Sequence, residues 1–162
     1  MIQEILLFFA QYGIFFIIIV SLVNFTLNYK NELKSVIALA LSLAISYCIS
    51  SIFYVPRPFV KENFMPFIAH APDSSFPSHH ASMGFALSFS TFNTNTILGL
   101  VSSVIAVLMS VGRMYAGLHS NIDIIGGLLI GAFCAIFAYN KFVDKVIVKV
   151  VKLIQKSKKR KK

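Results

Sequence analysis

Two arginines, two histidines, a serine and an aspartate stand in three short polar islands of an otherwise apolar chain: YVPRPFVKENF at 54–64, SSFPSHHAS at 74–82 and GRMYAGLHSNID at 112–123. Together these residue types suit phosphoryl transfer. Arginine carries a planar fork of donors that matches the oxygens of a phosphoryl group, which makes Arg57 and Arg113 candidates for holding one. His119 and Asp123 are four residues apart, so on a helix they would share a face about 6 Å apart along the axis. The carboxylate would then orient one ring nitrogen while the other faces phosphorus as a nucleophile. His80, with an ordinary imidazole pKa near ~6.5, suits the remaining role of protonating the departing oxygen and later activating water.

Each island taken alone has a plainer reading. Arg57 before Pro58 reads as a loop anchor, Ser78 and His80 as a helix cap, and Arg113 as a side chain reaching for headgroups. The combination favours chemistry. Two rival classes explain less of it. His70, Asp73, His79, His80 and His119 have the ligand types of a zinc site, but the spacing H-x2-D-x5-H-H matches no structural zinc pattern and leaves both arginines without a role. A non-enzymatic bundle or a transporter with a charge relay calls for ionisable residues at several depths, whereas here they gather at one end.

The elements that must position these residues are membrane helices. The chain has 162 residues, of which 57% are hydrophobic and 13% charged, and the apolar residues come in blocks rather than on one helix face. That is the composition of an integral membrane protein. A helix of about 20 apolar residues crosses a bilayer, and Ile5 to Leu27 and Val36 to Val55 both reach that length. Glu4 stands where a signal peptide has a positive region and no small-residue cleavage site follows, so the first run reads as a permanent span. Ala81 to Phe92, Ile97 to Val111 and Ile124 to Tyr139 are three further candidates. Counted from His80 to Asn93, the first of them is only about 21 Å long, so it is expected to begin inside the protein. The polar break Asn93-Thr94-Asn95 should separate it from the next span, with Thr94 or Asn95 as N-cap; one long helix from Ser82 to Leu108 is the alternative. The expected fold is all-α, an integral membrane bundle of about five transmembrane helices with the site at its external end.

Basic residues set the orientation. With five spans, twelve of the fifteen lysines and arginines fall on one side and only Arg57, Lys61 and Arg113 on the other. Cytoplasmic segments hold the excess, so the tail is expected in the cytoplasm and all three polar islands at the external face. Residues 1–140 form the predicted membrane-embedded domain. Residues 141–162 form a basic amphipathic tail, with Lys141, Lys145, Lys149, Lys152 and Lys156 at helical spacing ahead of KSKKRKK, suited to anionic lipid headgroups rather than to nucleic acid. Cys48 and Cys134 lie within predicted spans and imply neither a disulfide nor a metal. Gly127 and Gly131 form a small-xxx-small pair of the kind that packs helices.

Arg57-Pro58, then Pro77-Ser78-His79-His80, then Gly112-Arg113 with His119 and Asp123, resemble the three signatures of the type 2 phosphatidic acid phosphatase family, K-x6-R-P, P-S-G-H and S-R-x5-H-x3-D. The wording RPFV followed by HAPDSSFPSHH looks most like the bacterial undecaprenyl pyrophosphate phosphatases of the bacitracin-resistance type. The resemblance implies a membrane enzyme that hydrolyses a polyprenyl or phospholipid phosphate at the external face of a bacterial inner membrane, with no metal or other cofactor. Undecaprenyl pyrophosphate is the substrate it points to first; phosphatidylglycerophosphate, phosphatidic acid and lipid A phosphates present the same terminal group. It implies phosphate binding by Arg57, Arg113, Ser78 and the backbone amide of His79, a general acid in His80, a phosphohistidine on His119 and an orienting carboxylate in Asp123. Vanadate-dependent haloperoxidases share the signatures but are soluble. Three positions depart from the pattern: Ser50 replaces the lysine, His79 the glycine and Gly112 the serine. Lys61, in the same external loop, is a candidate for the missing cation.

Overall fold

The structure, a computed structural model, describes residues 1–147 and 149, apart from the side chains of 28–32; the rest of the predicted tail lies outside the described residues. Five helices are named here in chain order: α1 (Ile2–Ile52), α2 (Pro58–Lys61), α3 (His79–Phe92), α4 (Thr96–Tyr115) and α5 (Asn121–Ala138). Among the described residues the one β feature is an isolated antiparallel bridge between Pro56 and Ser74.

Helical hydrogen bonding runs through α1 from Ile2 to Ile52, but a straight helix would part Ala10 from Ser50 by roughly 60 Å. Both instead reach one end of the bundle. The Ala10 carbonyl accepts from Arg113 at 3.2 Å, Ser50 meets His79 at 3.2 Å, and Arg113 and His79 line a common cavity. At the opposite end, Asn24 donates to Thr94 at 2.6 Å and Lys34 pairs with Asp144 at 2.6 Å. α1 is therefore two antiparallel limbs, Ile2–Leu27 and Leu33–Ile52, each long and apolar enough to cross a membrane, as are α4 and α5. These match the predicted first two spans with shifted ends. The second limb stops at Ile52 rather than Val55 because Phe53 turns extended and Pro56 follows.

The short predicted span is the centre of the bundle. α3 is 14 residues long, about 21 Å. It packs against α1, α4 and α5, and Ala81, Phe85 and Leu87 meet Ile14, Ile17, Ala106 and Met109 in one apolar cluster. The Asn93–Asn95 break is present. Asn95 caps α4 by accepting from the Leu98 amide at 3.1 Å, so the single long helix is excluded. Gly127 and Gly131 let α5 lie directly on α3: a Cβ at Gly127 would come within 2.8 Å of the Ser78 carbonyl, and one at Gly131 within 2.8 Å of that of Ser82. The outward faces carry large apolar side chains along every long helix, including Phe15, Leu22, Val104, Leu129 and Ile136, the surface that a lipid solvent accommodates.

Candidate active site

The site is assembled at the ends of α3, α4 and α5 by a clasp of two loops. Residues 53–57 run beside 73–75: the Ser75 amide donates to the Val55 carbonyl at 2.8 Å and Pro56 bridges to Ser74. Arg57 sits between two prolines, extended at φ −63° and ψ 152°, because the following proline disfavours the helical region. Arg57 is 4% exposed, and most of its guanidinium donors are engaged. Nε donates to Asp73 at 2.8 Å, and one terminal nitrogen donates to the Leu118 carbonyl at 3.0 Å and lies 3.3 Å from Nε2 of His119. Burial alone would raise the Asp73 carboxyl, but the Arg57 guanidinium holds it below its ordinary value, so the pair stays ionised at neutral pH.

Arg113 comes from inside α4, which runs to Tyr115 rather than ending at Val111, and its cation stands in the last turn, where the helix dipole favours it. It is 4% exposed, donates to the Ala10 carbonyl at 3.2 Å, and has no hydrogen-bond partner at Nε. No carboxylate lies within ion-pairing distance of it among the described residues. A buried cation without a counter-ion is costly unless an anion joins it. Position 112 is glycine because the first limb of α1 passes directly over it, and any Cβ there would run into the Leu6 carbonyl oxygen.

His119 corrects the expected arrangement. It does not share a helix with Asp123: α5 begins at Asn121 with Ser120 as N-cap, and Gly117, at φ +77°, turns the chain out of α4 just before. Asp123 closes the capping box, accepting from the Ser120 amide at 2.6 Å, and also accepts from the Ser75 hydroxyl at 2.8 Å. Its Oδ2 is 3.8 Å from Nδ1 of His119, within ion-pair reach but beyond a hydrogen bond. The closer partner of Nδ1 is the Ser75 carbonyl at 3.0 Å. Since a carbonyl only accepts, Nδ1 carries the proton, and Nε2 presents its lone pair towards Arg57. Burial pushes the His119 imidazole down to about 4, more than the Asp123 carboxylate offsets, and both arginines push the same way, so the ring is neutral at pH 7.

A cavity of about 230 Å³ brings Arg57, His79, His80, Arg113 and His119 together with His70, Asp73 and Ser74, and Leu43, Tyr47 and Met83 form its apolar wall. Three other candidates lie elsewhere. Ser78 is fully buried behind the wall as the N-cap of α3, its hydroxyl 3.4 Å from the Ala81 amide, and its own amide donates to the Asp123 carbonyl. Asp123 is likewise behind the wall. Lys61 is exposed at the end of α2 and does not line the cavity, so the structure does not bring the candidate auxiliary cation to the arginines. Sequence reasoning missed Ser75 altogether and saw Asp73 only as a possible metal ligand. Both belong to the SSFPSHH neighbourhood, but nothing in its spacing says which carbonyl would face His119. Among the described residues no group of three or more histidine, cysteine, aspartate or glutamate side chains is arranged to hold a metal ion.

The sequence profile of the PAP2 superfamily matches residues 32–147. Undecaprenyl-diphosphatase BcrC of Bacillus subtilis is 28% identical over 146 residues, covering 88% of this chain and 75% of that protein. Putative undecaprenyl-diphosphatase YbjG of Escherichia coli is 40% identical over 101 residues, 61% of this chain and 50% of that one. The crystal structure of Aquifex aeolicus LpxE superimposes with a TM-score of 0.72 at 22% identity, over 84% of each chain, a likeness of fold.

Proposed function

We propose, from the premise that this chain belongs to the PAP2 superfamily, that the multi-pass membrane phosphatase it forms hydrolyses undecaprenyl pyrophosphate to undecaprenyl phosphate through a phosphohistidine. The observation that carries the chemistry is the lone pair of His119. A neutral ring, its proton fixed on Nδ1 by the Ser75 carbonyl, turns Nε2 into a cavity that also receives two buried guanidinium groups.

The terminal phosphoryl group binds between Arg57 and Arg113; Arg57 keeps its bonds to Asp73 and the Leu118 carbonyl and turns the donor that rests on Nε2 of His119 to the incoming oxygens, which frees that lone pair as charge shifts in transfer. Nε2 of His119 attacks phosphorus, the P–O bond to the lipid phosphate breaks, and His80, which takes up a proton when the anionic diphosphate docks beside it, gives that proton to the departing oxygen. His80, now neutral, takes a proton from water, which attacks the phosphohistidine and releases inorganic phosphate and free His119. Asp123 steadies the imidazolium character that His119 gains while phosphorylated. No step in this sequence calls for a metal.

The names of two relatives support the choice of lipid. The lysine and arginine count supports an active site on the external face of the membrane, with the basic tail on anionic headgroups of the cytoplasmic leaflet, and the bacterial relatives support placing it in a bacterial inner membrane. The test is phosphate release from undecaprenyl pyrophosphate by purified protein in detergent with EDTA, beside His119→Ala and a phosphatidylglycerophosphate control. Metal-independent release that the variant loses is the expected result, and 32P retained on His119 after a quench identifies the intermediate. Preference for the control lipid would move the substrate assignment, and activity that EDTA abolishes would overturn the metal-free mechanism.

A further inference from the structure

His79 and Ser50 are two of the three positions that depart from the signature pattern, and in the fold they touch: Nε2 of His79 lies 3.2 Å from the Ser50 hydroxyl, although 29 residues separate them. The His79 ring also stacks on Tyr47, centroids 5.4 Å apart at 25°. Two positions on α1 thus hold one imidazole at the cavity wall. A glycine at 79 would make neither contact.

The location of this imidazole within the cavity gives it a use. His79 and His80 are consecutive in the first turn of α3, so their side chains diverge by about 100° around the axis. His80 shares the cavity with the two arginines and His119, while His79 leans towards the second limb of α1. Below it the wall turns apolar. Met83 is one turn further along α3, and Leu43 stands one turn from Tyr47 on α1. Tyr47 is 66% and Leu43 37% exposed on a helix that faces lipid, so this side of the cavity opens into the bilayer between α1 and α3. A lipid diphosphate with its terminal phosphorus at His119 has its second phosphate on the side from which its hydrocarbon chain leaves. His79 stands at that junction of polar and apolar wall.

We propose that the His79 imidazole, with Nε2 accepting from the Ser50 hydroxyl and its face on Tyr47, donates from Nδ1 to the lipid-linked phosphate of a diphosphate substrate, the phosphate that is not transferred, and thereby makes the site favour diphosphates over monophosphates. This rests on the phosphatase reading above. A monophosphate has only the group at the arginines and makes no use of His79. The role belongs to the side chain and is separate from any hydrogen bond made by the residue's backbone amide.

The test compares kcat/KM for a polyprenyl diphosphate and a monophosphate of the same chain length, in detergent, for the wild type, His79→Ala, His79→Gln and Ser50→Ala. The ratio of diphosphate to monophosphate should fall about tenfold in His79→Ala, the worth of one lost hydrogen bond to a charged group. It should fall less in Ser50→Ala, which only loosens the ring, and recover in part in His79→Gln, which keeps an N–H donor. Ser50→Ala decides the question if His79→Ala does not fold. An unchanged ratio in active variants overturns the proposal and leaves the phosphatase reading standing. A folded wild type that hydrolyses neither lipid overturns that reading and this inference with it.

Discussion

Nδ1 of His119 lies 3.0 Å from the carbonyl oxygen of Ser75, and the hydroxyl of the same serine donates to Asp123 at 2.8 Å. Ser75 therefore stands between the aspartate and the histidine, its hydroxyl on the carboxylate and its carbonyl on the ring, while the carboxylate itself lies 3.8 Å from the ring; the proposed mechanism uses both routes to orient the imidazole. Ser75→Ala keeps the carbonyl but frees it to drift, and should lower kcat about tenfold. Asp123→Asn also removes the charge and weakens the capping box, and should cost about a hundredfold or more, by analogy with carboxylates that hold a catalytic imidazole. Steady-state kinetics of the two variants check the order. A Ser75→Ala variant that keeps the wild-type kcat would mean that the serine transmits nothing.

The pH dependence of His119 has a definite sign. Burial pushes its pKa down to about 4, so the ring loses its proton, and gains its lone pair, as pH rises through that value. Nitrogen NMR of the ligand-free protein, with His119→Gln used to assign the signal, should show a neutral Nδ1–H tautomer at pH 6 that protonates only near 4. Titration near ~6.5, the value of a solvated imidazole, would contradict the buried geometry.

Arg113 is a buried cation whose Nε has no partner. An oxyanion that fills the cavity should therefore raise the melting temperature of the wild type, and orthovanadate or phosphate in a thermal-shift series measures it. Arg113→Lys keeps the charge but loses the fork, so it should bind the anion weakly and lower kcat/KM by roughly 10²-fold or more. A stabilisation by phosphate that is the same in the variant would remove Arg113 from the site.

Gly112 is a packing requirement. Gly112→Ser, which restores the residue of the family pattern, places a side chain against the Leu6 carbonyl and must push the first limb of α1 away. The expected cost is about 1–3 kcal/mol, read as a lowered melting temperature. Activity should fall too, because the same limb supplies the Ala10 carbonyl that holds Arg113.

Much of this protein was legible in one dimension because the bilayer is a severe solvent. Backbone polar groups must be satisfied within each segment, so long apolar blocks form helices, and the spans at the start of the chain, at Ile97 and at Ile124 all appeared with ends shifted by a few residues. The Asn95 cap was readable for a local reason: an asparagine side chain beside the first free amides of a helix forms its bond whatever the rest of the chain does. The grouping of Arg57, His80, Arg113 and His119 followed from residue types and from counting spans.

What the tertiary structure decided are contacts between segments with no fixed spacing. The partner of Nδ1 is a carbonyl from a loop 44 residues away, and a backbone oxygen leaves no trace in a sequence. His119 and Asp123 keep a helical spacing, yet the helix starts between them, because Ser120 caps it and Asp123 completes the box. Lys61 is near Arg57 in the chain, but the turn of α2 leaves it exposed, while Ser50 and His79 meet only because α1 folds back along α3. The sequence by itself determined the solvent, the helices and the chemistry available to them. Only the packed bundle decided which atoms face one another, since that depends on close approach between helices distant in the chain.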